Sequence, residues 1–211
     1  MSWARTSALL ALLATAAAGG QAALPVNRPA SAQALLDAQP ERRRAELMEE
    51  RVVLLPSDEL PKGQVEALVL FSQPPETVWE LLLQRERQKE FRPEITALSI
   101  VEKGPGRVVE EQHLKIAFLE VAYRLVDRFD AATRTITWQL DPSFESTLEH
   151  VSGYWELHEL DGGRTLARFA TKVSVSPAVP GFLQDGITRR NVPQSLENTR
   201  EWVDSNGRWR P

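Results

Sequence analysis

The sequence predicts an α+β fold in which a meander of antiparallel strands is followed by a C-terminal helix. Residues 95–176 contain six segments of strand character, and turn-forming residues separate several of them. Residues 179–206 instead repeat apolar side chains at helical spacing. Short connections join neighbouring antiparallel strands, so one meander is expected. The predicted strands are 95–103, 107–117, 119–129, 134–140, 146–160 and 165–176.

Two further elements precede the meander. Residues 52–55 and 65–71 read as the strands of a hairpin, because the second segment alternates its side chains between two faces. Pro74, Pro75 and Glu76 suit the first turn of a helix, which tolerates proline and favours an acid. Pro93 is expected to end this helical region.

Residues 1–22 have the pattern of a secretory signal. Arg5 is the one charged side chain there, and the Ala-Leu run from Ala8 to Ala18 is followed by small residues. The run is too short to span a bilayer comfortably, although an uncleaved N-terminal anchor is the alternative. We therefore expect cleavage after Ala22 and a periplasmic or secreted mature protein.

Residues 23–50 are predicted to form a linker and a short helix. The first part is rich in Ala and Pro, whereas 41–50 combines strong helix formers with charges of both signs. This composition indicates a helix with a solvated surface. A domain over 51–206 and a tail over 207–211, in which Trp209 has no assigned role, complete the expected organisation.

Composition excludes several functions. The chain has 211 residues, no cysteine and a net charge of −4, so disulfides and thiolate chemistry are excluded. A mildly acidic chain is a poor general ligand for nucleic acid, which binds clustered Lys and Arg. Zinc-protease, nucleophile-elbow, P-loop and dinucleotide motifs are absent. We therefore predict no cofactor, no metal site and no catalytic residue.

Several local motifs resemble one superfamily. They are Pro74-Pro75-Glu76-x-Val78-Trp79-x-Leu81-Leu82, Glu90-Phe91-x-Pro93, Gly153-x-Trp155-x-Leu157 and Asp161-Gly162-Gly163-Arg164-Thr165. Their order is similar to that of the START / Bet v 1-like (SRPBCC) superfamily. Ile116-Ala117-Phe118 looks like an apolar turn of its polyketide cyclase / coenzyme Q-binding branch. The resemblance covers about residues 63–206. It implies a helix-grip fold, in which a curved antiparallel sheet wraps round the C-terminal helix and leaves a cavity.

The strand face that points toward the helix supplies the candidate ligand-binding residues. Side chains alternate across a strand, and the face that we assign to the interior is mostly apolar. A solid core has the same pattern, and the resemblance favours a cavity. The candidates are Gln112, Leu114, Tyr123, Leu125, Trp138, Glu149, Val151, Phe169 and Thr171 on the strands, with Phe182 on the helix.

Four of these candidates are polar, namely Gln112, Tyr123, Glu149 and Thr171. A buried polar group is costly unless it is hydrogen-bonded, so these side chains are expected to orient the polar head of a ligand. The alternative is a register error that leaves Gln112 and Glu149 in solvent. The histidines, His113, His150 and His158, have the opposite parity and are expected to be exposed.

The resemblance also places three apolar segments at one end of the fold. They carry Ile116, Phe118 and Leu119, then Phe144, then Val179, Phe182 and Leu183. Turns are usually polar, and a contiguous apolar patch commonly marks a binding surface. We predict that this rim transiently contacts a membrane or a partner while ligand enters. The alternative is that these residues plug the open end of the core.

Three functions remain open on the sequence alone. An exported carrier of a hydrophobic, lipid-like small molecule is the first, because a signal pattern precedes a helix-grip pattern. A cyclase or aromatase is the second, in which Glu149 or Tyr123 serves as acid or base. An interaction module with a filled core is the third. The carrier is the preferred interpretation.

Overall fold

The computed structural model describes residues 23–56, 58, 60–116, 119–175 and 191–211. These residues form one eight-stranded antiparallel sheet with helices on both of its faces. The elements in chain order are α1 (Ala32–Asp37), α2 (Glu41–Glu50), β1 (Val52–Leu54), β2 (Gln64–Phe71), α3 (Pro75–Leu82), a 3-10 helix (Arg85–Glu90), β3 (Ile95–Gly104), β4 (Arg107–Ile116), β5 (Leu119–Asp130), β6 (Thr135–Leu140), β7 (Leu148–Leu160), β8 (Arg164–Val175) and α4 (Val192–Asp204).

The predicted meander is confirmed. Strands β3 to β8 are neighbours in chain order, and β2 lies between β8 and β1. The predicted hairpin is also present, because Val52 pairs with Val69 and Leu54 pairs with Ala67. Every strand pair is antiparallel, as short connections require. The architecture is the helix-grip fold that the sequence predicted.

The main core lies between the inner face of the sheet and the helices that follow β2. Helix α3 contributes Val78, Leu81 and Leu82, while α4 contributes Leu196 and Val203. In addition, the Trp202 indole of α4 stacks on the ring of Phe91, with 4.5 Å between ring centroids. These contacts hold α4 against the main core from Leu196 to Val203. The part of the predicted long helix before residue 191 lies outside the described residues.

The N-terminal segment contains the helix predicted at 41–50, but this helix packs on the sheet, and the part predicted as a linker forms a second helix, α1. Ser31 begins α1 by accepting a hydrogen bond from the Ala34 amide at 3.1 Å, a common way to start a helix. Leu47 of α2 is fully buried. Together, α1 and α2 cover an apolar patch on the outer face of the sheet. This outer cluster consists of Ala32, Leu35, Leu36, Leu47, Val53, Leu68, Leu70, Leu160 and Leu166.

The same segment explains an incorrect prediction for one histidine. His113 is exposed and His150 is half-buried, but His158 is only 5% exposed. Arg28 donates hydrogen bonds to Thr135 Oγ1 and to the Leu157 carbonyl oxygen, both at 3.2 Å. The chain before α1 therefore lies over this part of the outer face. Strand parity placed His158 on the outer face but could not show that the face is covered.

The C-terminal residues are not a free tail. Trp209 is half-buried and packs against the main core. Arg210 forms an ion pair with Glu90, and the Gly207 carbonyl oxygen accepts a hydrogen bond of 2.7 Å from Arg87. Gly207 has φ of +75°, a conformation that glycine adopts without strain. The chain thereby turns after α4 and docks on the 3-10 helix.

Candidate ligand-binding cavity

A cavity of about 180 Å³ lies between the inner face of the sheet, the 3-10 helix and α4. One end of the cavity has apolar walls, and the opposite end has polar side chains. The apolar side chains that line it are Leu81, Leu82, Phe91, Leu114, Ile116, Val121, Leu125, Trp138, Leu148, Val151, Trp155, Phe169, Val173, Val192 and Leu196. This combination of apolar walls with a few convergent polar groups is typical of small-molecule sites.

Three aromatic rings build the wall on strands β6 to β8. Phe169 lies between Trp138 and Trp155, at centroid distances of 5.7 and 4.7 Å, and both pairs are tilted. Trp138 lies directly opposite Gly153 on the neighbouring strand. A Cβ atom at position 153 would overlap both the Trp138 indole and the Ala170 carbonyl oxygen. Glycine is therefore required here so that the Trp138 indole can lie in close contact with position 153.

Arg85 organises the opposite, polar end. Its guanidinium donates to both oxygens of Glu110, at 2.9 and 3.3 Å, and to Asp127 Oδ1 at 3.3 Å. Both carboxyl groups are fully buried on the inner face of the sheet. Gln88 adds hydrogen bonds of 2.9 and 3.0 Å to the same Glu110 carboxylate. A buried charge is tolerated when it is paired and hydrogen-bonded in this way.

The network continues to the surface of the cavity. Gln112 donates to Glu110 at 2.5 Å and accepts from the Tyr123 hydroxyl at 2.9 Å. Arg92 donates to Gln88 Oε1 and to Glu94 Oε1, both at 2.9 Å. We call the cavity-lining side chains of this network the polar end. They are Arg85, Gln88, Arg92, Glu94, Gln112 and Tyr123.

Burial controls the protonation of this network. It raises the pKa of Asp127 to about 8; Arg85 opposes this rise, and Glu110 adds to it. Burial likewise raises the pKa of Tyr123 to about 12, despite the nearby Arg92. Although burial alone would lower the pKa of Arg85, Asp127 and Glu110 raise it overall. At neutral pH, Asp127 is therefore mainly protonated, Tyr123 is protonated, and Arg85 is a cation.

Comparison with known proteins agrees with this geometry. The model of the family described as "Polyketide cyclase / dehydrase and lipid transport" matches residues 62–201, which is more than half of the chain. The chain belongs to this family. The matched range contains every described residue that lines the cavity, but it excludes α1, α2 and β1. The two helices that cover the outer face of the sheet therefore lie outside the range that the family model matches. Among curated protein sequences, none matches significantly.

Solved structures show the same fold at low sequence identity. Zhui aromatase/cyclase from Streptomyces sp. R1128 is 20% identical, with a TM-score of 0.60 over 69% of this chain and 95% of that one. A STAR-related lipid transfer protein from Xanthomonas axonopodis is 11% identical, with a TM-score of 0.56 over 72% and 98%. A START superfamily protein from Mycobacterium smegmatis is 18% identical, with a TM-score of 0.53 over 66% and 98%. The chain thus shares its fold with an aromatase/cyclase, a STAR-related lipid transfer protein and a START superfamily protein.

Most of the candidate ligand-binding residues lie together on the cavity wall. The lining includes Gln112, Leu114, Tyr123, Leu125, Trp138, Val151, Phe169 and Thr171. Among the polar ones, Thr171 donates a hydrogen bond of 3.2 Å to the Ser152 carbonyl oxygen, and Gln112 pairs with Tyr123. Whether these residues contact a ligand stays a prediction. Phe182 lies outside the described residues.

Glu149 does not line the cavity, contrary to its predicted position. Its side chain is exposed, and the register of β7 against β8 shifts between Leu148 and His150. Because of this irregularity, Leu148 lies on the cavity wall, and so does Val151 three residues later. Strict alternation, on which the assignment of Glu149 relied, fails at a bulge because one extra residue reverses the parity.

The described part of the rim is not a continuous exposed patch. Ile116 lines the cavity, and Phe144 is half-buried with the Arg124 guanidinium 4.6 Å from its ring centroid. The side chain of Leu119 and residues Phe118, Val179, Phe182 and Leu183 lie outside the described part. Contact of the rim with a membrane therefore stays a prediction.

The sequence interpretation missed the charged half of the site. Arg85, Gln88 and Arg92 lie on and after the 3-10 helix, in a segment whose sequence pattern indicates only the end of a helical region. Glu110 and Asp127 share strand parity with Gln112 and Tyr123, and this parity was a usable signal for the inner face.

Within the described ranges, no group of three or more acidic or histidine side chains could hold a metal ion. In the same ranges, no helix is long and apolar enough to cross a membrane.

Proposed function

We propose that the protein is an exported binding or carrier protein for a hydrophobic, lipid-like small molecule held between the sheet and α4. The observation that carries this proposal is the cavity itself, with an aromatic wall at one side and the polar end at the other. Such a shape suits a molecule with an apolar body and one hydrogen-bonding head.

The size of the cavity favours binding over a filled core. The described side chains leave about 180 Å³ between them. An apolar protein cavity of about 150 Å³ is already large enough to bind benzene. Native cores otherwise contain few voids larger than a water molecule. The interaction module with a filled core is therefore the less favoured candidate.

The cyclase hypothesis requires Glu149 or Tyr123 to act as an acid or a base inside the cavity. Glu149 is exposed, so it is not available as an acid or base inside the cavity. Burial raises the pKa of Tyr123 to about 12, which keeps its hydroxyl protonated at neutral pH. A protonated tyrosine can donate a hydrogen bond or a proton, but it cannot remove a proton from a substrate. The role of base is thus disfavoured for both residues, and the cyclase stays the second candidate function, with Tyr123 as its acid.

Export is the second part of the proposal and rests on the pattern of residues 1–22. Expression of the full chain in a bacterial host followed by mass determination of the secreted or periplasmic product tests this part. The expected product begins at Ala23. Recovery of the intact chain from the membrane fraction would instead favour the uncleaved anchor.

Binding can be tested with the uncharged fluorescent probe N-phenyl-1-naphthylamine. The wild-type protein should bind it saturably, with one probe for each chain. Leu125→Trp should remove most of the binding, because Leu125 lines the cavity and the larger side chain fills it. Val101→Trp is the matched control, since Val101 is 49% exposed on β3. Equal binding to both variants, with circular dichroism showing both folded, would place the probe elsewhere and contradict the proposal.

A further inference from the structure

Each positive charge of the polar end is paired with a negative charge, either in the polar end or directly behind it. Arg85 pairs with Glu110 at 2.9 Å, and Arg92 pairs with Glu94 at 2.9 Å. Each guanidinium that lines the cavity thus has a carboxylate of its own. Among the described residues, no further Lys or Arg side chain lines the cavity. A cation without a partner, which an incoming anion would need, is not present in this lining.

With Asp127 included, the net charge of these groups is zero or negative, but never positive. Its Oδ1 atom lies 3.3 Å from Arg85, and its buried Oδ2 has no hydrogen-bond partner among the described residues. Burial raises the pKa of Asp127 to about 8, so the group is mainly uncharged at neutral pH. Ionisation at higher pH adds a negative charge. In both states, the electrostatic environment disfavours an anionic head.

Hydrogen-bonding groups of both kinds nevertheless reach the cavity. Arg92 supplies donors, Glu94 supplies an acceptor, and the oxygen of Tyr123 keeps lone pairs after its proton is donated to Gln112. An alcohol or a ketone can satisfy such groups without bringing a charge. Burial of a polar head that exchanges water for these partners costs little free energy, whereas burial of an unpaired charge costs much more.

We propose that the cavity selects ligands with an uncharged polar head, an alcohol or a ketone, over carboxylates and phosphates with the same apolar body. The inference rests on the proposed function and narrows its ligand class. An ionised head at the polar end would be a buried charge beside two ion pairs that are already complete. Breaking either pair to accommodate the anion would leave a carboxylate without its partner.

A matched pair of ligands tests this selection. 1-Octanol and octanoate have the same chain length, and octanoate is ionised at neutral pH. Competition with N-phenyl-1-naphthylamine should give at least about tenfold tighter binding for 1-octanol. Equal or tighter binding of octanoate would overturn the inference while leaving the proposed function intact. Displacement by neither ligand, together with no binding of the probe, would overturn both.

A change of charge at the polar end provides the second test. Glu94→Gln keeps the size of the side chain but leaves Arg92 without its carboxylate. The ratio of the two affinities should then shift by about tenfold toward octanoate. Glu120→Gln is the control, because Glu120 is exposed and its substitution also removes one negative charge. An unchanged ratio in Glu94→Gln, or the same shift in both variants, would contradict the inference.

Discussion

The Tyr123 hydroxyl donates a hydrogen bond of 2.9 Å to the Gln112 side-chain oxygen, directly across the pairing of β5 with β4. Both side chains are buried, and both line the cavity. Gln112 in turn donates to Glu110, which connects the hydroxyl to the buried Arg85. The surface that a ligand meets is thus held in place by the ion pair between Arg85 and Glu110, of which Arg85 lines the cavity and Glu110 lies behind it.

Tyr123→Phe tests this connection. Removal of the hydroxyl leaves the Gln112 oxygen without its donor in a buried position, so the free energy of unfolding should fall by about 1–3 kcal/mol. Affinity for 1-octanol should fall as well, because a hydrogen-bonding group is lost from the polar end. Urea denaturation and probe displacement measure the two effects. Tyr154→Phe is the control for affinity, since Tyr154 is on the outer face and does not line the cavity.

The protonated state of Asp127 predicts a dependence of stability on pH. The pKa of this group is raised from 3.8 to about 8 in the folded protein, so the native state binds the proton more tightly than the unfolded state does. The contribution of Asp127 to stability therefore declines as pH rises through this window and is constant above it.

Asp127→Asn removes the titration and keeps the shape of the side chain. Relative to this variant, the wild-type protein should lose stability between about pH 4 and pH 8, as measured by urea denaturation at a series of pH values. Asp161→Asn is the control for loss of an exposed carboxylate. A constant difference between wild type and Asp127→Asn over this range would show that Asp127 is ionised throughout.

The covering of the outer face predicts different effects for two neighbouring residues of α2. Leu47 is fully buried in the outer cluster, whereas Met48 is 43% exposed. Leu47→Ala should lower the free energy of unfolding by about 2–5 kcal/mol, because truncation leaves a cavity. Met48→Ala should change it by less than about 0.5 kcal/mol. Similar small effects in both variants would mean that α2 does not pack on the sheet in solution.

Gly153 and Trp138 predict a coupled effect on stability. Gly153→Ala should lower the free energy of unfolding by about 1–3 kcal/mol, because the added methyl group overlaps the indole and the Ala170 carbonyl oxygen. Trp138→Phe removes part of the overlap, so the double variant should be more stable than the sum of the single effects predicts. Gly104→Ala is the control, since a Cβ there meets no atom within 4 Å. Additive effects would contradict the close contact.

The meander could be predicted because its signals are local. Alternation and turn residues lie within each strand and its connection, and the observed bounds follow them closely. Glu149 was misplaced because no local signal marks the bulge between Leu148 and His150. The charged groups were harder to find, since Arg85 and Asp127 meet only after β4, β5 and the 3-10 helix have come together. Tertiary contacts of this kind are not present in any single segment of sequence.

The N-terminal covering was missed for a related reason. An Ala- and Pro-rich segment has the composition of a linker, and α1 has only six residues. Short helices are marginal without tertiary packing. Burial of Leu35 and Leu36 against the outer face supplies that packing. The sequence of the segment alone does not show which surface it will cover.

Native mass spectrometry of the protein purified from its own host tests the central claim most directly. We expect a bound small molecule that organic extraction removes, that is uncharged and largely apolar, and that is retained by Val101→Trp but absent from Leu125→Trp. A wild-type protein that carries no such molecule, and that acquires none after incubation with a lipid extract of the host, would contradict the account.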